Sequence, residues 1–263
     1  MIGKMRKTNA ALLTATLAVA LLGISQVSFA ARAAGAQDSQ APDSAAAAKL
    51  NKSQFKDVKV AVDNGIATLT GTVALYEYKA DAGKRVLKVK GVTAERNMIE
   101  VAGPNIPDRE LESKLQERLS YDRVGYGNLF NAIGVKVENG VATVGGHART
   151  DVDKDSALAL VSTTPGVKDV IGEIEVDPVS IMDDQTRMAV ARAIYGYPSL
   201  TKYSIDPVKP IRISVQNGNV ELYGMVDSQG DKEIAFMRAN GVPGIFSVKN
   251  YLQVANQPTE AKK

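Results

Sequence analysis

Three Asn-Gly pairs set the frame of this chain: Asn64-Gly65, Asn139-Gly140 and Asn217-Gly218. Around them other residues keep constant spacings without a gap. A Gly lies seven residues after each Asn (Gly71, Gly146, Gly224), and a Gly followed by an aliphatic residue lies 27 after it (Gly91-Val92, Gly166-Val167, Gly244-Ile245). A Val closes each copy at 37 (Val101, Val176, Val254), Lys recurs at 15 (Lys79, Lys154, Lys232) and Ala at 18 (Ala82, Ala157, Ala235). A chain that matches itself at this many offsets is built from repeats, so the folding problem reduces to one small unit used three times.

Asn-Gly between alternating apolar residues marks a two-residue β-hairpin, because both turn positions need φ > 0. Val58, Val60 and Val62 precede the first turn; Ala67, Leu69, Gly71 and Val73 follow it, and antiparallel pairing puts them on one face. Val135 and Val137 with Ala142 and Val144, and Ile213 and Val215 with Val220 and Leu222, repeat the pattern. Gly71, Gly146 and Gly224 therefore fall on the apolar face and read as structural glycines, with a helix backbone packed close over them. A helix follows each hairpin. In the second copy it runs from Val152 to Ser162, with Ala157, Leu158 and Val161 on one side, and stops at Thr164-Pro165-Gly166. A last strand alternates Ile99/Val101, Ile174/Val176 and Leu252/Val254. Leu111, Leu115 and Leu119 mark a helix before the second hairpin, and Thr186, Val190 and Ile194 stand 75 residues on. The fold class expected is α+β: tandem α-β-β-α-β modules, each a three-stranded mixed sheet with helices on one face.

The modules fall at 49–103, 104–177 and 178–254, with a tail at 255–263. Residues 31–48, rich in Ala, Ser, Gln and Gly and interrupted by Pro42, read as a flexible linker. The first helix of module 1 is then missing or poor, and the apolar face of its sheet needs another module or a partner to cover it. Residues 1–30 read as a secretory signal peptide. Lys4, Arg6 and Lys7 precede an apolar run from Ala10 to Ile24, and Ser28-Phe29-Ala30 sets cleavage after Ala30, placing the mature chain in the periplasm. The run is shorter than the roughly 20 residues that a bilayer core requires.

The signal also carries the basic excess. The chain has 32 basic and 29 acidic residues, but three of the basic ones lie in the first thirty with no acidic one, so the mature chain is neutral. Net charge gives no case for nucleic acid as a partner. The absence of cysteine excludes disulfides, thiolate metal sites, a cysteine nucleophile and a lipid-bearing cysteine after the signal.

At this point the chain resembles the BON-domain family, in tandem, over about residues 50 to 254. The resemblance rests on the Asn-Gly-x-(Ala/Val)-x-(Leu/Val)-x-Gly strand, the Lys/Ala-bearing helix, the Gly-Val step and the closing alternating strand, in that order and spacing. It implies a periplasmic, non-catalytic role, with links to osmotic or envelope stress, phospholipid surfaces and the assistance of outer-membrane proteins.

The residues themselves offer little catalysis. His147, the single histidine, aligns with Thr72 and Met225 and reads as a solvent-facing strand residue, neither catalytic nor metal-binding. Asp151, Asp153 and Asp155 alternate as in a calcium loop but lack its Gly and Glu, and read as helix-start charges. No nucleophile elbow and no phosphate-cradling loop appears. The chain is expected to be no enzyme and to use no metal or cofactor.

Charge, however, is uneven. Module 1 holds ten basic and six acidic residues, module 2 eight and thirteen, module 3 eight and seven. Lys79, Lys84, Arg85, Lys88 and Lys90 sit on or near the module 1 helix, with Lys84 and Lys88 one turn apart. Lys84, Arg85, Lys88 and Lys90 are the candidate contact to an anionic phospholipid surface or to an outer-membrane assembly; docking of basic module 1 on acidic module 2 is the other use of that charge. Tyr121, Tyr126, Phe130, Tyr195, Tyr197 and Tyr203 cluster before two hairpins and read as packing over helix ends. The alternative function is a chaperone-like factor that holds unfolded outer-membrane proteins on the uncovered face of module 1.

Overall fold

The structure is a computed structural model; it describes residues 40–121, 126–206 and 209–255, of which Gln40, Ala41, Tyr126 and Gly127 by backbone alone. The signal peptide, the first part of the linker and most of the tail lie outside the described residues. The described residues belong to one body.

Each Asn-Gly pair makes the turn its chemistry demands. Asn64, Asn139 and Asn217 have φ of 49°, 55° and 50°, and the following glycines 79°, 78° and 74°. The hairpins are β1 (Val58–Asp63) with β2 (Ile66–Val73), β5 (Ala132–Glu138) with β6 (Val141–Ala148), and β8 (Arg212–Gln216) with β9 (Asn219–Tyr223). Their closing pairs are Asp63 with Ile66, Glu138 with Val141 and Gln216 with Asn219. Val62 lies opposite Ala67 and Val60 opposite Leu69, as the alternation requires.

The helices α2 (Tyr76–Val86), α5 (Asp151–Ser162) and α8 (Gln229–Asn240) carry the chain back, so the third strand runs parallel to the second. Each sheet is therefore mixed, with the second strand in the centre. In module 2 the third strand, β7 (Asp169–Val176), is continuous. In modules 1 and 3 it is split into β3 (Ala94–Asn97) and β4 (Glu100–Val101), and into β11 (Ser247–Asn250) and β12 (Gln253–Val254), the last pairing with β10 (Met225–Val226). The cause is one asparagine in each. Asn97 donates to the Lys79 carbonyl at 2.8 Å and accepts from Ile99 N–H at 3.3 Å; Asn250 does the same with Lys232 at 2.9 Å and Leu252 at 3.2 Å. Gly172 holds this place in module 2 and cannot form the bridge.

The leading helices are α1 (Gln40–Lys49), α3 (Asp108–Tyr121) and α6 (Ile181–Tyr195), with short turns α4 (Tyr126–Leu129) and α7 (Lys202–Ile205) after the latter two. The presence of α1 corrects the expectation of a missing first helix and, over residues 40–48, that of a linker, whose earlier part lies outside the described residues. Ala is the strongest helix former, and Pro42 sits in the first turn, where a missing N–H costs nothing. Ala46 and Leu50, four residues apart, are buried with Phe55 against Val62, Ala67 and Leu69. The module 1 sheet is thus covered by its own chain.

Asp108 and Asp183, 75 residues apart, tie the leading helix to the hairpin. Each carboxylate accepts both turn N–H groups: Asn139 and Gly140 at 2.6 and 2.9 Å, Asn217 and Gly218 at 2.9 and 2.8 Å. Thr150, Ser180 and Ser228 cap their helices by accepting from the third residue on, and Asp151 and Asp153 lie in the first turn of α5.

The glycine expectation needs a different cause. Gly71, Gly146 and Gly224 are not under a helix. They have φ of 112°, 106° and 127°, and a Cβ on them would meet a carbonyl oxygen of the neighbouring chain segment: Asp57 at 2.0 Å, Ala132 at 2.0 Å, Pro210 at 2.5 Å. Close approach of the hairpin partner excludes a side chain there.

Candidate functional site: the basic module and the junctions

Of the candidate basic residues, Lys84 is exposed on α2, whereas Lys88 and Lys90 are exposed in the turn after it. None of the three forms an ion pair with a described carboxylate. Arg85 differs. Its Nε donates to Asp81 at 2.7 Å and its guanidinium lies 5.7 Å from the Phe55 ring centre, so it braces α2 to the segment after α1. The single helical stripe expected from spacing is therefore a lysine on the helix and two in the following turn.

Lys79 faces the other way, 3.8 Å from Asp169 of module 2. Tyr76, one turn earlier, packs against the module 2 core. Burial, and then the charge of Asp169, push its hydroxyl above the usual tyrosine range. Docking of module 1 on module 2 thus uses the first turn of α2, and leaves Lys84, Lys88 and Lys90 on the part beyond it.

The junction of modules 2 and 3 is more deeply buried. Phe130, ahead of β5, belongs to the module 3 core, with Leu129 packed beside it. Arg187 of α6, 2% exposed, donates to Asp177 at 2.8 Å, to the Val215 carbonyl at 2.6 Å and to Asp184 at 2.8 Å. Asp177 also accepts from Ser214 at 3.2 Å and Gln216 at 2.7 Å. Arg149 of module 2 reaches Asp184 at 3.2 Å. Partial burial opposes ionisation of Asp184, but hydrogen bonds from Arg149 and Arg187 hold it below the usual carboxylate range.

His147 sits in this junction, which corrects the expectation that it faces solvent. Its side chain is 19% exposed; Nδ1 is 3.6 Å from Asp177 and 3.2 Å from Gln216, and Nε2 is 3.8 Å from Glu221 of β9. The strand does point it outward, but module 3 lies over that face. Among the described residues, no group of three or more acidic or imidazole side chains is placed to hold a metal ion. Partial burial works against the Glu221 carboxylate, while Lys249 at 2.8 Å and Tyr223 hold it below its ordinary range. The loop aromatics divide: Phe130 and Tyr203 are buried, Tyr195 donates to the Ile211 carbonyl at 2.6 Å, Tyr197 lies under Arg238, and Tyr121 is exposed. The side chain of Tyr126 lies outside the described residues.

Among the described residues the arrangement brings together three exposed lysines beyond the first turn of α2 and a buried junction between modules 2 and 3. No curated protein matches the chain. Two solved structures of CdsD, a structural protein of the type III secretion system of Chlamydia trachomatis, are similar to it. One, of the C-terminal domain, is 16% identical, covers 88% of this chain and 99% of its own, and has a TM-score of 0.24. The other is 18% identical, covers 80% and 90%, and has a TM-score of 0.22. The BON domain model matches three times in succession, at residues 43–103, 107–178 and 183–256, which together make up most of the sequence. The chain belongs to the BON domain family and carries three such domains in tandem.

Proposed function

We propose that the protein is a non-catalytic component of the bacterial envelope, exported to the periplasm, which meets an anionic phospholipid surface through module 1. The observation that carries this reading is the group Lys84, Lys88 and Lys90, exposed and without a described carboxylate partner, on the one module with a strong basic excess. Family membership supports association with the envelope membrane. The chaperone-like alternative rested on an uncovered sheet face in module 1, and α1 covers that face. Outer-membrane assemblies and a role under osmotic stress remain compatible with the same basic end.

Flotation with vesicles tests the proposal. The mature chain is expected to float with anionic vesicles at low salt and to stay behind with neutral ones. Each basic group adds up to about 1 kcal/mol near such a surface, screened over about 8 Å at physiological salt. Lys84→Glu with Lys88→Glu is expected to abolish flotation and leave stability unchanged. Flotation of the doubly reversed chain at its original level would place the lipid contact elsewhere.

A further inference from the structure

The first strand of each hairpin lies at a sheet edge. A two-residue turn fixes which of its backbone groups point outward. Asp63 pairs with Ile66 as the closing hydrogen-bonded pair, so Lys59 and Ala61 also bond inward, while Val58, Val60 and Val62 direct N–H and C=O groups away from β2. Such groups are obligatory hydrogen-bonding sites and must be satisfied or left to solvent.

The leading helix does this for the later modules. Glu112 of α3 accepts from Val137 N–H at 3.0 Å and Gln116 donates to the Val135 carbonyl at 3.4 Å; Arg187 of α6 donates to the Val215 carbonyl at 2.6 Å. The edges β5 and β8 also approach one another across the junction. Module 1 is served less well. Asp43 accepts from Val62 N–H, but α1 has 10 residues where α3 and α6 have 14 and 15. Among the described residues no side chain hydrogen-bonds the outward groups of Val58 or Val60.

A groove of about 960 Å³ opens there, between the end of α1 and β1, with Val58 and Val60 along one wall. Leu50 and Phe55 give it an apolar floor. Among the described residues, the charged ones that line it are Lys52, Lys56 and Lys59, all exposed. Lys56 is 3.9 Å from the exposed Asp57, and the other two have no described carboxylate partner.

We propose that this groove takes an extended acidic segment of a partner protein, added to module 1 as a strand along the Val58–Val60 edge. Main-chain pairing supplies the attachment, alternate side chains of the segment settle on Leu50 and Phe55, and its carboxylates meet the three lysines. The site is distinct from Lys84, Lys88 and Lys90, so reversal of those residues leaves it intact.

The probe is a blocked hexapeptide alternating Glu and Val, titrated into the mature chain and followed by backbone amide NMR. The expected result is saturable shifts at residues 58–62, weakened by salt. A peptide with Lys in place of Glu, and one N-methylated at every second residue, are each expected to bind about tenfold more weakly or worse, the second because it loses one or two net hydrogen bonds. Val60→Pro removes the outward N–H without touching the pairing to β2, and Lys56→Glu with Lys59→Glu removes the charge match; both are expected to cost about tenfold or more. The charge variant keeps the test informative should Val60→Pro not fold. Absence of shifts at β1, or equal binding of the N-methylated peptide, would overturn the proposal.

Discussion

At the scale of single residues, backbone geometry and burial decide what each repeat position tolerates. Gly146 and Gly134 lie on facing strands, yet only the first has a positive φ and a carbonyl in the way; nothing lies within 4 Å of a Cβ on Gly134. Gly146→Ala is expected to cost about 1–3 kcal/mol, the strain of a disfavoured backbone region, and Gly134→Ala less than about 0.5 kcal/mol. Chemical denaturation of both variants checks the contrast, and equal midpoints would contradict it. Arg187 and Asp177 are a buried pair with 2% and 1% of their side chains exposed. Asp177→Ala takes away the buried one of the two carboxylates that Arg187 meets, leaving Asp184 at 2.8 Å, and is expected to cost about 1–3 kcal/mol, read by the same method. Asp184 adds a pH dependence. Its carboxyl is held below its ordinary range, so its contribution is complete above the unfolded value of about 3.9 and is lost as pH falls through the lower folded value. Stability is expected to fall with acid in that window, and the fall to be shallower in Asp184→Asn.

At the scale of elements, the hairpins and the helices after them are legible in the sequence because their causes are local. Asn-Gly at φ > 0 fixes a turn, and alternation around it fixes a face. The first helix of module 1 is not legible in the same way. Its sequence has no apolar stripe, and the burial of Ala46 and Leu50 exists only against the sheet that they help to cover. The split third strands are equally hidden, since Asn97 and Asn250 act through main-chain carbonyls that any residue could supply. If α1 is an integral part of module 1, Leu50→Ala is expected to destabilise the protein by about 2–5 kcal/mol, as for a packed core position. An effect below about 0.5 kcal/mol, typical of surface sites, would return residues 40–50 to the status of a linker.

Over the whole molecule, the repeats are joined unequally, and this division could not be read from any one repeat. Modules 2 and 3 share apolar core and a buried ion pair; modules 1 and 2 meet through Tyr76, Lys79 and Asp169. The count of basic residues in module 1 is plain in the sequence. Their sorting is not: Lys79 is spent on the junction, Arg85 on Asp81 and Phe55, and Lys84, Lys88 and Lys90 are left to solvent. His147 shows the same dependence, since strand alternation points it outward and only the next module covers it. The proposed contact with an anionic membrane rests on Lys84, Lys88 and Lys90. Acetylation of the intact mature chain with and without anionic vesicles, read lysine by lysine by mass spectrometry, distinguishes a membrane-facing lysine from one left to solvent. Vesicles are expected to protect Lys84, Lys88 and Lys90 while Lys114 and Lys136 of module 2 keep their reactivity. Equal reactivity of all five with vesicles present, or protection confined to module 2, would contradict that contact.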